Sequence, residues 1–311
     1  MVALNSSIKS ASAFAPATCA NVAVGFDILG FALQDVGDVV TLTRREDSQI
    51  IIEKIDSKQT LPLDPNQNIA SYVIKKICED LKLNIGFNIT IKKNIPLSSG
   101  MGGSAASAVA ALVAFNYFLD KPLSKEQLAR YALMGEAMTS GQAHADNIVP
   151  CLWGGLTLIK SIDPIEVVSL PIPDNLFYAV VHPDLHVSTK QARAVLSDKI
   201  SLKDFVKQSA NLANFISALY TGNSVEFEDV VIEPQRSQFV PEFYEIKKAA
   251  LGAGALGFSF SGSGPSLFAL AKTKKDAEVI SAAIQSQLKN NNIRSDSWVS
   301  NISQKPAHII A

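Results

Sequence analysis

The segment PLSSGMGGSAAS, residues 96–107, constrains this chain more than any other. It places three glycines and four serines in twelve residues. An alternating apolar stretch, GFNITIKK, precedes it, and a run of small residues, AASAVAALVAF, follows. Alternation reads as a strand, the glycines as a loop and the small-residue run as a helix. Strand, flexible loop and helix start in that order make an anion site. Loop N–H groups wrap the ion, and the helix aims its positive end at the same point. Polyphosphate is the expected guest. No Gly-Lys-Ser or Gly-Lys-Thr closes the segment, so it is not a Walker-type loop. Gly100, Gly102 and Gly103 also lack GxGxxG spacing. That spacing occurs at Gly252, Gly254 and Gly257, between an expected helix and an expected strand. A dinucleotide fold needs the strand first, so those glycines read as a helix C-cap and turn.

The rest of the chain can carry such a site. Its 311 residues, 47% hydrophobic and 18% charged, suffice for a large core divided between two lobes, 1–165 and 166–311. With 28 basic and 29 acidic residues the formal net charge is −1, and no long basic run suggests nucleic acid or an anionic membrane. Cys19, Cys78 and Cys151 are far apart and form no CxxC pair. A zinc site or disulfide framework is therefore not expected, and a reducing compartment is. No run of 18 apolar residues and no basic-then-apolar opening occurs, so neither a membrane span nor a signal peptide is expected, and the location reads as cytoplasmic.

Along the chain, SIKSASAFAPAT, DVVTLTRR and QIIIEKID read as strands. Helical spacing covers 66–82, a strand 86–93 and a helix 103–119. A further helix begins at Ser124 with a Ser-x-x-Gln capping box. A strand is expected around GGLTLIK. SIDPIEVVSLPIPDN, with three prolines, reads as the connection between lobes. LFYAVV is then a buried strand. Helices are expected near 188–197, 201–220, 224–231, 241–251 and 274–289, with FSFS and SLFALA as strands around SGSGPS and a final strand at the end. Without a repeating βαβ unit, the second half reads as an α+β layered lobe.

Phosphoryl transfer needs a phosphate cradle, a divalent metal, a held acceptor and charge stabilisation. Mg²⁺ takes oxygen ligands, one or two from protein and the rest from phosphate and water. Ser104, at the expected helix start, presents a hydroxyl to the phosphates. Glu136 sits late in a largely apolar helix, either meeting a cation or facing solvent on the outer side. TSGQAHADN gathers His144, Asp146 and Asn147 beside small residues. A small zwitterion would need a carboxylate for its ammonium, from Asp146 or Asp27, and a guanidinium for its carboxylate, from Arg193 or Arg236. Each arginine could equally belong to the surface. Asn21, Gly25 and Asp27, in an expected strand-to-helix loop, form either a pocket floor or an ordinary Asx turn. SGSGPS is either a plain hairpin or a second turn pressed against the phosphate loop.

These segments, in this order, resemble the GHMP small-molecule kinases, in the branch that phosphorylates homoserine. PLSSGMGGSAAS is similar to the phosphate loop P-x-x-x-G-L-G-S-S-A-A. APATCANVAVGFDILGFAL is similar to the opening P-A-T-S-A-N-L-G-P-G-F-D-x-L-G of that branch. GEAMTSGQAHADNIVPCLWGG is similar to its E-x-x-x-S-G-x-x-H-x-D-N-x-x-P-x-x-x-G-G, and SGSGPS to the third family motif. The resemblance spans about residues 12 to 266. It implies a two-lobed α+β GHMP kinase fold, with a ribosomal protein S5 domain 2-like N-terminal lobe and a ferredoxin-like C-terminal lobe. It implies ATP and Mg²⁺, L-homoserine as acceptor in a step of threonine biosynthesis, and suggests a homodimer. By motif position Ser104 and Glu136 would hold the metal. Pro96, Leu97, Ser98, Ser99, Gly100, Met101, Gly102, Gly103, Ser104, Ala105 and Ala106 would embrace the triphosphate, with Asn68 near the adenosine. Asn21, Asp27, His144, Asp146, Arg193 and Arg236 would hold homoserine, and Thr189 would lie near the reacting phosphate. Gly103 departs from the first of the paired serines and Met101 from leucine. Where several members carry an aspartate base, the matching position here is Asn147, which has no useful basicity. Catalysis by positioning and charge is therefore expected. A sibling kinase for mevalonate or shikimate, or a nucleotide-binding protein without turnover, are the competing readings.

Overall fold

A computed structural model describes residues 3–58, 60–141, 143–223 and 225–311. The β-branched runs near the N-terminus form β1 (Ser10–Ala20), β2 (Leu29–Arg45) and β3 (Ile50–Asp56). The helical spacing that follows forms α1 (Ile69–Asp80), capped by the Asn68 side chain on Ala70 N. Next come β4 (Gly86–Lys92) and α2 (Gly103–Tyr117). Ser124 and Gln127 close the expected capping box on α3 (Lys125–Ser140). A short helix that sequence periodicity did not reveal, α4 (Ile148–Trp153), leads to the hairpin β5 (Leu156–Ile162) and β6 (Ile165–Leu170). The sheet runs β11 (His308–Ile309)-β1-β2-β4-β3, with the β5–β6 hairpin on β2; among these described strands only the β3–β4 pair is parallel. Helix α2 is apolar all round because it is enclosed: ten of its residues, Ala105 through Phe115 without Val113, are buried between the sheet and α1, α3 and α4.

The second lobe comprises β7 (Phe177–Pro183), α5 (Thr189–Ala194), α6 (Leu202–Thr221), α7 (Glu233–Arg236), α8 (Phe243–Gly252), β8 (Gly257–Phe260), β9 (Leu267–Ala271), α9 (Lys274–Asn290) and β10 (Ser295–Asn301). Its antiparallel sheet runs β10-β7-β9-β8, the split-βαβ order of a ferredoxin-like lobe. Buried α8 and α9 residues form one core with β8 and β9. Tyr178 and Phe268 instead join the first lobe's core, where Phe31 lies 5.7 and 6.2 Å from their ring centroids. A final pair, β11 (His308–Ile309), returns to β1.

Four expectations differ from this architecture. The loop after β1 leads to a strand, because ILGFAL is buried on both faces and such a run carries no periodic signature. IEVVSL is β6, hydrogen-bonded to β5, so the first lobe runs to Leu170 and the crossing segment is only 171–176. The division at 165/166 therefore falls at the start of β6, and the C-terminal strand also belongs to the first sheet. No helix forms over 225–231: Val225, Phe227 and Asp229 are buried at alternating positions, which is an extended pattern. Residue 224 of that expected helix lies outside the described residues.

Candidate functional site

Two glycine-serine turns, one from each lobe, meet at the head of α2. The loop between β4 and α2 carries Gly100 at φ +76° and Gly102 at φ +69°. The turn between β8 and β9 presses on it: Ser261 Oγ donates to Gly100 O at 2.9 Å, and Ser266 N to Ser99 O at 3.1 Å. A Cβ on Gly100 would stand 2.4 Å from Ser261 O. The SGSGPS segment is thus packed against the loop before α2, not a free hairpin. Gly102 is the N-cap of α2 and supplies no side-chain cap, so the helix's first N–H groups face a ligand position.

A cleft of about 560 Å³ opens over this junction. Residues 96–100 and 102–105 line it, together with Asn21, Asp27, Asn68, Glu136, His144, Asp146, Asn147, Thr189, Arg193 and Arg236. Met101 and Ala106, expected among the phosphate-embracing residues, instead have fully buried side chains in the hydrophobic core. They sit on the side of the loop and helix that packs on the sheet, so only their backbone can serve the loop.

One end of the cleft is apolar. Leu61, Pro62 and Ile69 line it beside Asn68, whose side-chain oxygen is engaged in capping α1. At its middle, Ser104 stands exposed in the first turn of α2, and Glu136 of α3 is half-buried on the same cavity, not on an outer face. Asn147 lies beneath Gly102, its Oδ1 accepting from Thr18 Oγ1 at 2.8 Å. Thr189 opens α5 behind a Ser188–Gln191 capping box, with its Oγ1 3.4 Å from Ser263 Oγ in the second turn.

The other end is densely charged. Arg193 donates to both oxygens of Asp27, each at 2.9 Å, and its Nη2 lies 3.1 Å from His144 Nε2. Burial holds the His144 imidazole below its ordinary value, so the ring is neutral near pH 7. Asp146 is 3% exposed and its Oδ1 has no hydrogen-bond partner among the described residues. Burial first, then the charges of Asp27 and Glu136, push its carboxyl up to about 7. Arg236 is also 3% exposed. It donates from Nε to Ala192 O at 3.1 Å and from Nη1 to Gly262 O at 2.9 Å, and burial brings its guanidinium down to about 10. Asn21 is used at both ends of its amide: Nδ2 donates to Gly262 O and Oδ1 accepts from Asp27 N, both at 2.9 Å. It shapes the loop that presents Asp27 at φ +62°.

Sequence reasoning missed three parts of this arrangement. Phe26 lies under both guanidinium groups, 4.8 Å from Arg193 and 5.3 Å from Arg236. Thr18 fixes Asn147. Lys93, on the cleft wall, pairs with fully buried Asp38 and donates to Gly103 O at 2.7 Å and to Ser107 Oγ at 3.0 Å. The only signals were an aromatic beside Asp27, a hydroxyl in a strand, and a lysine three residues before Pro96. Among the described residues no group of three or more His, Cys, Asp or Glu could hold a metal ion by itself, and no helix is long and apolar enough to cross a membrane.

Family models match this chain over residues 68–155, as the GHMP kinases N terminal domain, and over 207–290, as the GHMP kinases C terminal. A homoserine kinase of Chlorobium phaeobacteroides is 42% identical over 321 residues, covering 97% of this chain and 100% of the relative. The chain belongs to the GHMP kinase family. A homoserine kinase of Xylella fastidiosa is 43% identical to this GHMP kinase over 305 residues, 96% of this chain and 94% of the relative. The crystal structure of homoserine kinase from Cytophaga hutchinsonii superposes with a TM-score of 0.94 at 40% identity, covering 99% of both chains. Mevalonate kinase of L. major in complex with R-mevalonate shares the fold, with a TM-score of 0.73 at 15% identity over 97% of this chain and 99% of that one.

Proposed function

We propose that this GHMP kinase transfers the γ-phosphoryl group of ATP to the side-chain hydroxyl of L-homoserine, forming O-phospho-L-homoserine and ADP. The observation that carries the reading is the charged end of the cleft: carboxylates and guanidinium groups stand together beside a phosphate-binding loop. Its full-length likeness to homoserine kinases supports the same acceptor. The adenosine takes the apolar end near Asn68 and Ile69, and the triphosphate takes the loop at 96–105 and the head of α2. Asp27 and Asp146 receive the substrate ammonium; the unpartnered Asp146 Oδ1 is an acceptor awaiting a donor. Arg193 and Arg236 receive its carboxylate, with His144 beside them.

The hydroxyl oxygen attacks the γ-phosphorus as the bond to the ADP oxygen breaks, and the hydroxyl proton leaves to water or to the transferred group. Asn147 cannot act as base, so orientation is the main contribution; well-placed reactants can gain roughly 7–11 kcal/mol that way. One hydroxyl, Ser104, and one carboxylate, Glu136, in a single cleft suit Mg²⁺: these two residues would hold the ion, which would supply charge neutralisation at the transferred group. Cys19, Cys78 and Cys151 are free and buried, as suits a reducing compartment such as the cytoplasm.

A coupled ADP assay with a panel of amino acids and alcohols tests the proposal. ADP release should require homoserine and Mg²⁺, with homoserine preferred over mevalonate or shikimate by roughly 10²-fold or more in kcat/KM, because those acceptors leave buried charges unpaired. Absence of homoserine-dependent ADP across a broad pH range would remove the assignment. ATP binding without any acceptor-dependent turnover would favour a non-enzymatic nucleotide-binding role.

A further inference from the structure

Arg236 stands on α7, a helix of only four residues, too short to fix a side chain through its own backbone bonds. Its guanidinium is nevertheless held by two carbonyls and the Phe26 ring. Three residues outside the cleft lining account for this. Asp229, 4% exposed, accepts from Val231 N at 2.9 Å and Ile232 N at 3.0 Å through Oδ1, and from Glu233 N at 2.8 Å through Oδ2. Its carboxylate thereby ties off the entry to α7. Glu233, 2% exposed, opens the helix, and its Oε1 lies 2.5 Å from Lys247 Nζ on α8. That pair pins the flank of α7 to the body of the lobe, one turn from Arg236. None of the three lines the cleft, and nothing in the phosphoryl transfer calls on them.

We propose that Asp229 and the Glu233–Lys247 pair are positioning residues that aim Arg236 at the substrate carboxylate. The inference rests on the homoserine reading and adds the residues that make one of its recognition groups rigid. Burial is the main cost on the Arg236 cation, and the carboxyl groups of Asp27, Asp146 and then Asp229 oppose it. A guanidinium displaced by about 1 Å can lose on the order of 10²-fold in a positioned reaction. Loosening one of its two clamps should cost about tenfold.

The test compares two acceptors, L-homoserine and 2-amino-1,4-butanediol, which keeps the hydroxyl and ammonium but lacks the carboxylate. In Lys247→Met and Asp229→Asn the kcat/KM ratio between them should narrow about tenfold. KM for homoserine should rise while KM for ATP changes less than about twofold, and Lys247→Arg should restore the ratio. A purely structural role would lower thermal stability and leave the ratio alone. Glu233→Gln/Lys247→Met removes both charges without stranding one, and is read in the same way should a single variant fail to fold. An unchanged ratio in the folded variants overturns the proposal. So does a parallel rise of both KM values, or failure of every variant, the double included, to fold. If the wild-type protein does not use homoserine, the functional reading falls first and takes this one with it.

Discussion

Gly100→Ala probes the contact between the two turns, and Gly222→Ala supplies its control. The two glycines have nearly the same backbone, φ +76° and φ +72°. Gly222 is the C-cap of α6, and a Cβ there would meet nothing within 4 Å among the described residues. A Cβ on Gly100 would stand 2.4 Å from Ser261 O, 2.7 Å from Gly264 O and 2.9 Å from Gly264 N. All three are backbone atoms, so none can swing aside as a side chain would. Both variants carry the left-handed penalty of about 1 kcal/mol. Gly100→Ala adds overpacking, typically about 1–3 kcal/mol, and the Ser261–Gly100 hydrogen bond, about 1 kcal/mol. Expected losses by chemical denaturation are therefore about 1 kcal/mol for Gly222→Ala and about 3–5 kcal/mol for Gly100→Ala. Because the displaced loop is the one proposed to hold the triphosphate, KM for ATP should rise about tenfold or more in Gly100→Ala alone. Equal stability losses in the two variants, with KM for ATP unchanged, would show that the turns do not touch in solution and that the cleft is not assembled from both lobes.

Glu136→Gln keeps the size of the side chain and removes its charge. Turnover should fall on the order of 10²–10³-fold at saturating Mg²⁺, and full activity under those conditions would take Glu136 out of the mechanism. Asp146 gives a pH signature. Its carboxyl is raised to about 7 in the fold, above its unfolded value, so between the two the folded protein binds a proton that the unfolded chain does not. That contribution to stability is complete below the ordinary carboxylate range and is lost as pH rises through about 7. Asp146→Asn should flatten this fall in denaturation midpoints, and parallel slopes in the two proteins would contradict the burial argument.

The most local features were the most legible. The glycine-rich loop before α2 and the Ser124 capping box follow from glycine conformations and cap chemistry within a few residues, and both stand in the structure where the sequence placed them. Gly252, Gly254 and Gly257 also behave locally, ending α8 and entering β8. Errors arose where burial on both faces erased periodicity, as in ILGFAL. They arose also where prolines drew attention from the alternation of IEVVSL, and where VEFED alternates against its charges. In the site, the cluster of His144 and Asp146 was visible as polar residues set among small ones. Arg193 and Arg236 could not be told from surface arginines, because what distinguishes them is remote in sequence. Arg236 is fixed by Gly262, 26 positions away, and Ala192, 44 positions away; Arg193 is fixed by Asp27, 166 positions away. Lys93 and Asp38, 55 positions apart, were invisible for the same reason.

The pairing of Arg193 with Asp27 bears on how such a cleft selects its acceptor. Both side chains are about one-third exposed, and in the free protein both carboxylate oxygens of Asp27 accept from the Arg193 guanidinium. A ligand enters only by offering each of them a replacement partner. On the proposed reading the ammonium of an amino acid would replace Arg193 at Asp27, and its carboxylate would replace Asp27 at Arg193, so the exchange would conserve charge pairing. An uncharged alcohol offers neither and leaves the pair closed. A ligand with a carboxylate alone would satisfy Arg193 and strand Asp27 beside Asp146, whose ionisation burial and the neighbouring carboxylates already oppose. A zwitterion would therefore resolve two conflicts at once: it would replace both partners of the exposed pair and bring a cation to the buried acid. Selection of this kind needs no closely fitting wall around the hydrocarbon part of the substrate, since it depends on the sign and order of the charged groups.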